Sequence, residues 1–241
     1  MKQLIYFMLL FPVTMMAQEN KDYLLSITEF TVIQGHNEAF IEGIKAYAKC
    51  YKENNGKDKW NFWHRMQGQG NVYVITSSNE NWAEFDNTVD PAAKACREIV
   101  YNLIRPHIAS RKYYVTRSIT EWNNGSQLPE TGLVWVNYFD VKNSTIFKEV
   151  IKEIQGALKA AKDDRSASWY SMTGGDRDDV NYFVTSGYAN FAGLDKDVKS
   201  VWEVYEKVNG KKKADELRDK FRSSINDIWS NIYTFKKELS N

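Results

Sequence analysis

Three side chains of types that move protons or hold anions stand among aromatic residues in this chain. His64 and Arg65 lie in the stretch Trp63 to Asn71, "WHRMQGQGN", and Glu29 lies in the strand-like run "YLLSITEF". An imidazole such as His64 can exchange a proton near neutral pH or ligate haem. The guanidinium of Arg65 can grip a carboxylate with two parallel hydrogen bonds. Glu29, if withdrawn from water, would ionise less readily and suit proton abstraction. Strand periodicity puts Trp60, Phe62, His64 and Met66 on one face and Asn61, Trp63 and Arg65 on the other. Which face turns inward is open at this stage. Beside the chemical reading stands a plain one: a hydrogen-bonded core histidine, a rim arginine and an exposed strand-end glutamate.

About a hundred residues later the chain writes "WYSMTGGD", Trp169 to Asp176. Trp63, Met66 and Gly68 match Trp169, Met172 and Gly174 at one constant spacing. After a three-residue insertion, Tyr73, Thr76, Ser77 and Asn81 match Tyr182, Thr185, Ser186 and Asn190. On this matching Tyr170 stands for His64, Ser171 for Arg65 and Tyr138 for Glu29. Trp63, Trp169, Tyr138 and Tyr170 are then candidates to line a ligand site, with Asn137, opposite Thr28 in the repeat, as an orienting polar group in an apolar strand.

The elements that must carry these residues also come twice. "YLLSITEF" reads as a strand, and Phe40, Ile44, Tyr47 and Tyr51 at three- and four-residue steps read as an amphipathic helix capped by Asn37. "KWNFWHRM" and "NVYVITS" read as a hairpin, Pro91 to Arg105 as a second helix, and "KYYVTRSIT" as a fourth strand. After the polar linker 123–132 the order repeats from "LVWVNYFD", with additional helical sequence, "LDKDVKSVWEVYEKV", before the final helix. Two β-α-β-β-α-β units follow, at 18–122 and 133–241. Helices cover only one face of such a sheet, yet the strands are apolar on both faces, so the two bare faces are expected to pack on each other.

This tandem arrangement resembles the dimeric α+β barrel superfamily, including its antibiotic-biosynthesis-monooxygenase-like and NIPSNAP-like members, over Tyr23 to Leu239. The resemblance implies an α+β fold closed as a barrel within one chain. It carries no site residue across, because no defining catalytic motif is matched. Such barrels include cofactor-free oxygenases, haem-degrading enzymes, haem-dependent chlorite dismutases and proteins without known activity. In this topology the end of the first helix lies near the start of the second, which brings Cys50 toward Cys96. A disulfide and two buried free thiols are the alternatives.

Composition bounds the rest. With 241 residues, 43% of them hydrophobic, and 8 Trp, 14 Tyr and 12 Phe, the chain can build a large aromatic core. Residues 1–17, with Lys2, an apolar run from Leu4 to Met16 and a small Ala17, have the layout of a signal peptide, so a soluble exported protein, periplasmic or secreted, is expected. Its removal leaves 31 basic and 31 acidic residues, which argues against nucleic-acid partners. The cluster Lys211 to Lys213 reads as a solvated helix face. His36 and His107 read as a loop histidine and a helix-end histidine, and "GGDRDD" as a polar turn lacking the ligand set of a calcium loop. No metal site is expected. Hydrolase and kinase motifs are absent. The leading expectation is a binder of a small apolar or aromatic molecule between two sheets; an oxygenase or haem-handling enzyme and a filled structural barrel are the alternatives.

Overall fold

Two passes of the same element order build one barrel. The computed structural model describes residues 21–86, 89–124, 131–176, 179–196 and 199–241. The leader-like residues 1–17 lie outside the described residues. The first pass contains β1 (Leu24–Val32), α1 (Asn37–Glu53), β2 (Asn61–Arg65), β3 (Asn71–Asn79), α2 (Pro91–Ala95), α3 (Arg97–Ile99) and β4 (Ile108–Ser118). The second contains β5 (Leu133–Val141), α4 (Ser144–Ala161), β6 (Ser168–Met172), β7 (Tyr182–Tyr188), α5 (Val201–Asn209), α6 (Lys211–Ser224) and β8 (Ile225–Phe235). All neighbouring strands are antiparallel, and the circle closes in the order β1-β3-β2-β8-β5-β7-β6-β4. The two sheets do more than stack: β2 pairs with β8 and β4 with β6, so each sheet's outer strands find a hydrogen-bonding partner in the other.

Alternation along the strands separates an inner core from two outer ones. Ile27, Val72, Val74, Val136, Tyr170, Phe183 and Tyr233 face inward. The residues between them meet the helices: Val32 and Tyr73 pack with Phe40 and Ile44 of α1, while Phe139, Val141 and Tyr182 pack with Phe147 and Ile151 of α4. Asn143 caps α4 by accepting from the Ile146 N–H at 3.1 Å. The expected cap of α1 is different: Asn37 is already helical, and its Oδ1 accepts from Asn71 Nδ2 and the Tyr73 hydroxyl instead. A buried tyrosine that needs a partner competes successfully for that oxygen.

The expected single helix from Pro91 to Arg105 is broken. It bends at Cys96 and ends as a π-helical turn, Val100–Ile104, and a tight turn, Arg105–His107. Two contacts hold this segment against α1. Cys96 is disulfide-bonded to Cys50, with their Cα atoms 5.9 Å apart. Gly43 lets the α1 backbone approach the π turn, where any Cβ would collide with the Leu103 carbonyl.

Strand pairing also corrects the internal match. Trp63 lies opposite Val74, and the position opposite the equivalent Phe183 is held by Tyr170, not Trp169. The same offset follows from the closing edges, where Trp63 meets Phe235 and Tyr170 meets Ser118. The letters Trp, Met and Gly therefore align one residue out of register, and the insertion is two residues long. A slip of one reverses the face of every side chain. Trp63 points inward, whereas Trp169 is buried on the helix side against Phe139, Phe147 and Trp122. In β2 and β6 the true counterparts are Trp63 and Tyr170, His64 and Ser171, and Arg65 and Met172; Glu29 and Tyr138 correspond as expected.

Candidate functional site: the barrel cavity

The inner faces do not fill the barrel. They enclose a cavity of about 450 Å³, within the span of about 300–1,000 Å³ usual for small-molecule pockets. Its walls are Leu25, Ile27, Val74, Val134, Val136 and Phe183 with the aromatic rings of Trp63, Tyr170 and Phe235. Toward the strand ends that carry Asn61 and Ser78 the lining becomes polar, with Thr76, Thr185 and Ser168, and runs out to the loop residues Thr131 and Ser166. Toward the other end stand Tyr114, Tyr138 and Tyr233.

Hydroxyls supply most of the polarity. Tyr23 and Tyr170 share a hydrogen bond of 2.8 Å, and Tyr138 and Tyr233 one of 2.9 Å. Trp63 Nε1 donates to Thr76 Oγ1 at 3.1 Å, which fixes the indole as a wall. Burial pushes the Tyr114, Tyr138 and Tyr170 hydroxyls far above the ordinary phenol range and raises Tyr233 as well. They therefore stay protonated and neutral at any physiological pH, available as hydrogen-bond donors and not as bases. No Asp, Glu, Lys, Arg or His occurs among the described residues that line the cavity.

The structure divides the residues singled out from sequence. Trp63, Tyr138 and Tyr170 line the cavity. Glu29 is half-buried on the inner face of β1, beyond Ile27 and outside the lining; its charge helps to raise Tyr114, Tyr138 and Tyr233. Arg65 stands at the same end opposite Tyr233, its guanidinium donating to the Gln69 carbonyl, while its buried Nε has no partner among the described residues. His64 is not in the cavity. It faces the helices, stacked on Tyr73 with ring centroids 4.5 Å apart and hydrogen-bonded through Nε2 to Asn71 Oδ1 at 2.7 Å. Asn71 in turn donates to Asn37, so the imidazole is tied into the link between the hairpin and α1. Asn137 is outside too, accepting from Ser230 Oγ at 2.6 Å, and so is Trp169. Sequence reasoning missed Tyr23, Tyr114 and Tyr233. Their strands were legible, but in pairs such as Tyr113 and Tyr114 only the register decides which ring turns inward.

No family model matches this chain, and no curated protein sequence matches it. Solved structures match over almost its whole length. A provisionally assigned monooxygenase from Lactobacillus acidophilus NCFM is 13% identical with a TM-score of 0.51, covering 92% of this chain and 99% of that one. A chlorite dismutase variant from Candidatus Nitrospira defluvii, crystallised with cyanide, is 8% identical with a TM-score of 0.54, covering 90% and 92%. A haem-binding protein from Thermus thermophilus is 9% identical with a TM-score of 0.50, covering 90% and 92%. At these identities the likeness establishes the fold, that of the dimeric α+β barrels, and leaves the chemistry to the residues of this chain.

Proposed function

We propose that this protein, a tandem fused member of that superfamily, binds a small uncharged molecule with an aromatic or otherwise apolar body inside its barrel. The cavity carries this reading: about 450 Å³ of space walled by aromatic and branched side chains and edged by neutral hydroxyls. A ligand with a full charge would lose its hydration there without gaining a counter-ion from the lining. A ring with one or two hydroxyl or carbonyl groups would keep its hydrogen bonds through Tyr114 and the serine and threonine edge. The leader-like residues 1–17 and the Cys50–Cys96 disulfide both support a site of action outside the cytoplasm. Among the described residues no helix is long and apolar enough to cross a membrane.

A cofactor-free oxygenase acting on the same ligand is the second reading, favoured by Glu29, a carboxylate on the inner face of β1 beside the tyrosine end. Haem is less well served by this lining, which holds no imidazole, thiolate or thioether and whose tyrosines burial keeps protonated, the form that does not ligate iron. The volume speaks against a filled structural barrel. The test is mass spectrometry of small molecules carried through native purification, on the wild-type chain and on Val136→Trp, whose larger ring would occupy the cavity. A neutral aromatic or apolar compound released by the wild type and missing from the variant supports binding. Compounds recovered equally from both would place the ligand elsewhere.

A further inference from the structure

The fold brings two of the three histidines of this chain together outside the barrel. His36 ends the turn before α1, and His107 ends the tight turn before β4. Their Nδ1 atoms lie 3.0 Å apart with ring planes 63° from parallel. Both backbones are held. The His36 N–H donates to the Ile33 carbonyl at 3.0 Å, the His36 carbonyl accepts from Phe40, and the His107 carbonyl accepts from Ile33 at 3.0 Å. His36 is exposed to solvent and His107 half-buried.

A hydrogen bond from one Nδ1–H to the other Nδ1 gives this spacing. The same spacing is that of two nitrogen ligands on one metal ion. Imidazole nitrogens sit about 2.0–2.1 Å from a first-row ion, so two of them are about 2.9 Å apart at a right angle and about 3.3 Å apart at the tetrahedral angle. The 3.0 Å spacing falls between the two, and among divalent first-row ions copper(II) is the one nitrogen sites hold most tightly. We propose that His36 and His107 form a surface site for a divalent transition-metal ion of the copper(II) class. No third His, Cys, Asp or Glu joins them among the described residues, so water completes the coordination and leaves positions open to an external ligand. Binding replaces that hydrogen bond by the metal: the donor ring moves its proton from Nδ1 to Nε2, so both rings carry their proton on Nε2 and none is released.

The site is independent of the cavity and is tested separately. Purified full-length chain is titrated with copper(II) chloride by calorimetry and by electron paramagnetic resonance. One equivalent with nitrogen hyperfine structure is expected, together with a rise in thermal unfolding temperature, since an ion bound only by the folded state stabilises it. His36→Ala and His107→Ala each lose that equivalent and the thermal shift, and His64→Ala keeps both. Copper uptake unchanged in His36→Ala and His107→Ala, or no uptake by the wild type at neutral pH, would overturn the proposal and leave a simple imidazole pair.

Discussion

The two halves of the barrel share one strand order and differ in how their helices are held. In the first half α1 lies directly against a broken helical segment, brought close by Gly43 and cross-linked by Cys50 and Cys96. In the second half the equivalent of Phe40 is Phe147, since each packs on the same pair of strand positions, Phe30 and Tyr73 or Phe139 and Tyr182. Three residues on, Gly43 is therefore matched by Val150, which is fully buried against α5 and α6 with Val204, Ala214 and Leu217. One half joins its helices by a covalent bond and a close backbone approach; the other does so with an extra helix and apolar side chains. Closing a loop of this length, 46 residues of separation, stabilises by about 4 kcal/mol in the chain-entropy model, and burying two side chains such as Val204 and Tyr205 contributes about 1.5–3 kcal/mol each. The barrel needs a held helix layer on both sides, not one particular way of holding it.

That contrast can be broken from either side. Reduction of the disulfide, or Cys50→Ser with Cys96→Ser, is expected to have the largest effect, a loss of about 4 kcal/mol in urea unfolding. Hydrogen exchange should then rise first in 91–107 and leave α4 to α6 protected. Gly43→Ala comes next, at about 1–3 kcal/mol, because the methyl group must push the Leu103 carbonyl away; Val150→Ala should leave the first half's exchange pattern untouched. Ser200→Ala removes the reciprocal cap of α5, in which Ser200 Oγ accepts from the Glu203 N–H and the Glu203 carboxylate from the Ser200 N–H, and should cost about 1 kcal/mol.

The smallest expected effect is in acid. The Arg165 guanidinium beside Asp163, with bonds of 2.7 and 2.8 Å, holds that carboxyl below the ordinary carboxylate range. Its contribution is complete above the ordinary carboxylate pKa and is lost as the pH falls through the lowered value. Asp163→Asn should flatten the acid limb of stability slightly, and the first half has no counterpart, since Gly56 takes the matching place.

These differences also mark what sequence could and could not carry. The element order and the nearness of Cys50 to Cys96 follow from periodicity and topology, which are properties of whole segments, while closure as a barrel is what the family resemblance implied. Faces follow from register, and register is a property of pairing. Matching Trp63 to Trp169 by letter rather than by strand partner put Trp169 on the wrong face, and the shared tryptophan turned out to have different work in each half. His64 looked chemical because nothing in "KWNFWHRM" shows that Tyr73 and Asn71 will satisfy it. The tyrosines that do line the cavity are scattered over β4, β5, β6, β8 and the residue before β1, and only closure of the barrel assembles them. His36 and His107 are 71 residues apart and meet because β1 pairs with β4 inside the first sheet, which sequence distance alone does not show.

The space between the sheets is proposed to receive a neutral molecule with an aromatic or apolar body, and Trp63 in its wall is the natural reporter. Fluorescence titration with 2-naphthol and with 2-naphthoate compares a neutral ring with a charged one of the same shape, using Trp63→Phe to assign the signal and Val136→Trp to fill the cavity. Saturable one-to-one quenching by 2-naphthol, much weaker with 2-naphthoate and lost in Val136→Trp, is the expected result. Equal response to both probes, or quenching that survives in Val136→Trp, would contradict a ligand site inside the barrel.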